Sequence, residues 1–197
     1  VKNADSKALF TSFVPGPIIG ETQVGPQNAR GEQYITGSYY SVTVYARSHH
    51  FQLYVPSTDV NVAAALYTKD PVTGYPDELV VESEIKTGTG GWVYLDIPDK
   101  ANIAPGDYFI LAWMAAGPGT TYFKDFGDYL KGFDRFMATD PLVGSWPDPM
   151  TGGTLRSQRL SMYLHFDPAT SETVNLSAEF MVGYDAKDLD AEFRLRQ

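Results

Sequence analysis

From Tyr39 onward the chain alternates apolar and polar residues with a period of two, the pattern of β-strands with one buried face. In Tyr39–Arg47, Tyr40, Val42, Val44 and Ala46 share a face, and Tyr39, Ser41, Thr43 and Tyr45 the other. Phe51, Leu53 and Val55 alternate with His50, Gln52 and Tyr54, and Pro56 is expected to stop that strand. Val60–Thr68 predicts another strand, ending in the turn Asp70-Pro71-Val72-Thr73-Gly74. Leu79–Ile85 follows. Gly88–Gly91 reads as a tight return into Gly91–Ile97, where Val93, Leu95 and Ile97 alternate with Trp92, Tyr94 and Asp96.

Pro105-Gly106 is a turn signal that launches Asp107–Ala115, apolar on both faces and so expected to be a central, doubly covered strand. Arg159–Asp167 and Thr173–Tyr184 return to strict alternation. One segment departs from it. Tyr122, Phe126, Tyr129, Leu130, Phe133 and Met137 recur at three- and four-residue spacing, which predicts a helical insertion over about 120–139, weakened by Gly127 and Gly132. The stretch Asp140–Gly153 after it reads as loop.

Eight to ten short strands with frequent turns predict an all-β, jelly-roll-type two-sheet sandwich with a short helical insertion. Val42, Val44, Leu53, Leu66, Leu95, Leu164 and Phe180 are its expected core. The organisation read from the chain is an apolar strand at 1–14, a Pro/Gly-rich tether at 15–33 and the sandwich at 34–197.

Composition narrows the function classes. With 197 residues, 43% of them hydrophobic, the chain is long enough for a full core. Fifteen Lys and Arg against 24 Asp and Glu give a net charge of −9, which disfavours nucleic acid and anionic membrane as partners. No apolar run approaches the ~20 residues of a membrane span. Cysteine is absent, which excludes disulfides, thiolate metal sites and cysteine nucleophiles. The start at Val1, without a Met or a charged-then-apolar leader, is the pattern of a secreted protein after signal removal, and equally of a trimmed chain. The expected location is extracellular.

Candidate chemistry is sparse, and no catalytic residue is assigned. There is no Gly-x-Ser-x-Gly elbow, and His49, His50 and His165 sit in no recognisable motif. Glu82 and Glu84 share a strand face, but Lys86 completes it as a charge-balanced surface. Surplus carboxylates point to calcium, which takes six to eight oxygen ligands; Asp125, Asp128 and Asp140 are the first candidates. Asn175 begins a glycosylation sequon, Asn175-Leu176-Ser177. Near the N-terminus, Leu9, Phe10, Thr11, Phe13 and Val14 form a β-prone apolar strand. It can pair within its own subunit or be donated to a neighbour.

Two resemblances bear on function. The segment AALYTKDPVTGYPDELVVESEIKTGTGGWVYLDIP, with APGDYFILAW after it, looks like the middle strands of secreted jelly-roll modules, which stack sugars on exposed aromatic rings. That resemblance implies carbohydrate binding, with Trp92, Tyr94 and Tyr67 as candidate platforms. The segments DSKALFTSFV, YFKDFGDYLKGFDRFM, RLSMYLHFD and VNLSAEFMVGYDA together resemble the donor-strand filament subunits of the TasA/camelysin type and the archaeal cannula-forming proteins. This second resemblance implies a structural, non-enzymatic subunit of an extracellular filament or tubule. Such a subunit polymerises with identical or sister subunits by strand donation, with Ca²⁺ assisting assembly.

Overall fold

A computed structural model describes residues 18–30, 33–115, 122–125, 132–137 and 144–167. Twelve strands run through them: β1 (Ile18–Gly20), β2 (Gln27–Arg30), β3 (Tyr34–Val42), β4 (Ala46–Lys69), β5 (Pro76–Glu82), β6 (Lys86–Asp96), β7 (Asn102–Ile103), β8 (Gly106–Met114), β9 (Tyr122–Asp125), β10 (Gly132–Phe136), β11 (Thr154–Arg156) and β12 (Met162–Asp167). The main sheet is ordered β1-β12-β4-β8-β3-β10-β11, with β5, β6 and β7 also paired to β4, while β2 and β9 form a separate pair. The fold is all-β, built of antiparallel strands in a curled sheet. Among the described residues no helix is long and apolar enough to cross a membrane.

The longest strand, β4, organises the molecule. Its first half lies between β12 and β6, and its second half between β8 and β5. The change of partners falls at Pro56–Val60, where the register with β6 shifts twice and Asp59 adopts φ 61°. Pro56 therefore does not end the strand. It lacks an N–H for the ladder, and the chain accommodates it as an irregularity that bends β4 and carries it onward. Gly88–Gly91 is likewise not a hairpin return but lies inside β6, opposite this bend. A side chain at Gly88 would come within 2.7 Å of the Ser57 carbonyl, so glycine is what lets the two backbones close on each other.

The curl encloses one apolar cluster, in which Phe51, Leu53, Leu66, Leu95, Ile110 and Leu164 are fully buried. The opposite face of β4 and β8 holds a second, with Ala65, Tyr67, Phe109, Leu111 and Trp113 beneath Phe133, Trp146 and Met150. β8 is thus covered on both sides, as its unbroken apolar run predicts. Each large side chain buried here contributes ~1.5–3 kcal/mol.

Several expectations are corrected. Val44 lies outside the core: β3 ends at Val42, β4 begins at Ala46, and Val44 is 53% exposed in the link between them. The described parts of the expected helical insertion are strands. β9 pairs with β2, and β10 sits between β3 and β11, so both edges of β10 find main-chain partners that helical spacing alone does not reveal. The span assigned to a tether holds β1 and β2. Phe180 and the strand expected over Thr173–Tyr184 lie outside the described residues.

Candidate functional site

Strand register places a set of polar and aromatic side chains on the outer face of β12, β4 and β6. His165 of β12 is opposite His50 of β4, which is opposite Asp96 of β6. The next row is Tyr163, Gln52 and Tyr94, and beyond it Tyr54 faces Trp92. Residues between these positions, such as Phe51, Leu53, Leu95 and Leu164, point inward to the core. The alternation that builds the core therefore also builds this face.

Two features occupy it. The first is a group of aromatic rings. Tyr54 meets Trp92 edge-on at 5.6 Å, and Trp92 lies 5.5 Å from Tyr163. Tyr94 is 48% exposed and stacks on His50 with ring centroids 4.3 Å apart. Burial raises the phenol pKa of both Tyr94 and Tyr163, and the carboxylates of Asp96 and Asp167 add to the effect at Tyr94. Both stay neutral donors at ordinary pH.

The second is a histidine cluster. The β12–β4 ladder shifts register between His165 and Phe166, and His49 joins the other two imidazoles at that irregularity. The ligating atoms of His49, His50 and His165 all lie within 4.8 Å of one another. His49 Nδ1 meets His50 Nδ1 at 2.5 Å, and His165 stacks on His50 at 5.0 Å and 12°. Outer contacts hold the remaining nitrogens. His49 Nε2 is 3.6 Å from Asp167 Oδ1, and Gln52 Nε2 is 3.4 Å from His50 Nε2. His165 Nδ1 is buried with no hydrogen-bond partner among the described residues. Burial, then the charges of His49 and His165, hold the His50 pKa down to about 4. His50 is therefore a neutral imidazole near pH 7, with a nitrogen lone pair to offer.

The residues singled out from sequence are distributed unevenly. Trp92 and Tyr94 share the outer face, as the platform reading requires. Tyr67 is fully buried and donates from its hydroxyl to the Pro147 carbonyl, so it cannot be a platform. Alternation assigns His50 and His165 each to the outward face of its own strand; that they face each other, and converge with His49, comes from the β12–β4 pairing, which the long sequence separation hides. The signals that could have exposed it are the adjacent pair His49-His50 and the presence of only one further histidine in the chain. Glu84 pairs with Lys86 at 2.7 Å on an exposed, charge-balanced surface, but not on one strand face: β5 ends at Glu82, and Glu84 lies in the connection to β6. Asp125 is buried, and its Oδ1 accepts the Arg159 backbone N–H at 2.8 Å. Asp128, Asp140, Asn175 and the donor-strand residues Leu9, Phe10, Thr11, Phe13 and Val14 lie outside the described residues.

Neither the chain nor its fold matches a protein family, a curated protein or a solved structure.

Proposed function

We propose that this domain is an extracellular carbohydrate-binding module of the jelly-roll type, which uses the outer face of β12, β4 and β6 as its platform. The observation that carries this reading is the row Tyr163–Gln52–Tyr94 lying beside the pair Tyr54–Trp92 on one surface. A pyranose ring has an apolar C–H face that stacks on aromatic rings, and hydroxyls at its rim that hydrogen-bond to amides and carboxylates. Gln52 and Asp96 supply those polar groups between and beside the rings. The net charge of −9 favours neutral glycans over acidic ones.

The test is electrophoresis of the full chain through gels containing neutral polysaccharides, with tryptophan fluorescence in parallel. Trp113 and Trp146 are buried, so a ligand-induced change reports on Trp92. Retardation accompanied by a fluorescence change supports the module. Unaltered mobility and fluorescence across neutral α- and β-linked glucans, chitin, mannan and xylan would refute it.

A second reading is a structural subunit of an extracellular filament or tubule, in which residues 1–14 are donated to a neighbour and Ca²⁺ assists the contacts. The observation in its favour is the position of β1. Ile18–Gly20, which follows that segment in the sequence, pairs with β12 at one end of the main sheet, and among the described residues no further strand pairs with its outer edge. A donor and acceptor that differ in surface propagate into an open assembly. Negative-stain microscopy with and without Ca²⁺, on the whole chain and on a chain lacking 1–14, decides it: filaments only from the whole chain support donation, and filaments from both exclude it.

A further inference from the structure

We propose that His49, His50 and His165 form a binding site for a divalent transition-metal cation of the Zn²⁺ class. The chain has three histidines, and the fold brings all of them to one point from two strands far apart in sequence. Chance placement on a twelve-stranded scaffold gives no reason for that convergence. Ligation does.

The distances fit the coordination sphere. Zn–N bonds of ~2.0–2.1 Å in a tetrahedral site put ligand nitrogens about 3.3 Å apart. The separations here run from 2.5 Å to at most 4.8 Å, on either side of that value. Bringing all three to one ion opens His49 from His50 and turns the His165 ring out of its stacked arrangement on His50, which side-chain rotation alone can supply.

The surrounding groups orient the rings as ligands need. His49 and His50 turn their Nδ1 atoms toward each other, and their Nε2 atoms face outward to Asp167 and Gln52. An imidazole ligates through one nitrogen while the other donates to a carboxylate, carbonyl or water, which fixes its tautomer. Asp167 fills that role for His49. Turning the Gln52 amide over presents its oxygen to His50 Nε2–H. The buried Nδ1 of His165, which has no hydrogen-bond partner among the described residues, gains one if it binds the ion.

Charge is compatible with a cation. Asp96 and Asp167 flank the cluster. The opposing charge, Lys100, is turned onto Asp167 with Nζ 3.6 Å from Oδ2. Three imidazoles select Zn²⁺, Ni²⁺ or Cu²⁺ over Ca²⁺ and Mg²⁺, which take oxygen ligands. The site is thus chemically separate from the calcium expected at acidic residues, and it stands whether or not the aromatic platform binds sugar. Three protein ligands leave a fourth position for water or an incoming donor.

The experiment is calorimetric titration of the untagged full chain with ZnCl₂, with CaCl₂ and MgCl₂ as controls, followed by the variants His165→Gln and His49→Gln/His165→Gln. His50, the most buried of the three, is left in place, and circular dichroism checks the fold. One equivalent of Zn²⁺ is expected to bind, and affinity is expected to fall roughly tenfold or more in each variant. Equal Zn²⁺ affinity in the wild-type chain and the double variant overturns the site, as does absence of Zn²⁺ binding to the wild type. Imidazole ¹⁵N resonances of the wild-type chain give a readout independent of variant folding: all three histidines shifting together on Zn²⁺ addition supports the site, and unmoved resonances refute it.

Discussion

The hydroxyl of Tyr67 donates a 2.6 Å hydrogen bond to the carbonyl of Pro147, tying the centre of the fold to the loop that covers it. Tyr67 lies fully buried in β4. Trp146, next to Pro147, packs 6.1 Å from the Tyr67 ring and 5.6 Å from that of Trp113. Further hydrogen bonds hold the same loop: Leu79 N–H donates to Asp148 Oδ1 at 3.0 Å, and Met150 N–H to the Asp77 carbonyl at 2.7 Å. The loop acts as a lid on the second core cluster. Tyr67→Phe removes one of its hydrogen bonds and leaves the Pro147 carbonyl short of a donor. A loss of about 1 kcal/mol in unfolding free energy is expected, read as a drop in Tm of roughly 2–4 °C.

The same residue sets an alkaline limit. Burial, then the charges of Asp148 and Glu82, raise the Tyr67 phenol pKa well above its ordinary value near 10. In the unfolded chain the phenol ionises near pH 10; in the folded chain it keeps its proton. The folded state therefore binds more protons above pH 10, and stability falls as pH rises, by up to ~1.4 kcal/mol per pH unit for one such group. Tyr40 is shifted the same way, chiefly by burial. Urea midpoints measured from pH 8 to pH 11 should hold steady to about pH 9 and then decline. In Tyr67→Phe the decline should be shallower, because one of the linked groups is gone.

Leu66 and Val44 separate core from surface. Leu66 is fully buried in the enclosed cluster, with Ile110 opposite it on β8, whereas Val44 is largely exposed between β3 and β4. Leu66→Ala should cost ~2–5 kcal/mol. Val44→Ala should change stability by no more than ~0.5 kcal/mol. Chemical denaturation of the two variants checks both values, and a large effect at Val44 would contradict its placement.

The strands were legible in the sequence wherever one face is buried, because period-two alternation is set by the geometry of a single strand. Leu53, Leu95 and Leu164 could be assigned to the core on that ground. Connections were less legible. Pro56 looks like a stop, yet β4 continues, because a long strand changing partners tolerates a missing donor at the bend. Phe133 and Met137 have helical spacing, yet Phe133 sits in a strand paired on both sides, where ladder hydrogen bonds prevail over local pattern. The histidine cluster was the least legible. It depends on the β12–β4 register, a relation between distant segments that no local window contains.

The outer face gives the last prediction. If Tyr94 and Trp92 form the sugar platform, removing either ring takes away a stacking surface without opening the core, since both residues lie on the side away from Leu53 and Leu95. Tyr94→Ala should weaken binding of a retained polysaccharide roughly tenfold, about 1.4 kcal/mol, with Tm nearly unchanged. Trp92→Ala should weaken it at least as much and abolish the ligand-induced fluorescence change. Trp92 also touches Tyr54 and Tyr163, so the pair of losses should not add: once Trp92 is gone, those two rings lose the neighbour that holds their orientation. Phe136 provides the control. It is an exposed aromatic residue, 57% accessible, on β10, which is not part of this face. Phe136→Ala should leave binding unaltered. Equal loss from Phe136→Ala and Tyr94→Ala in the same gels would show that exposed rings bind polysaccharide without regard to place, and the platform assignment would fail.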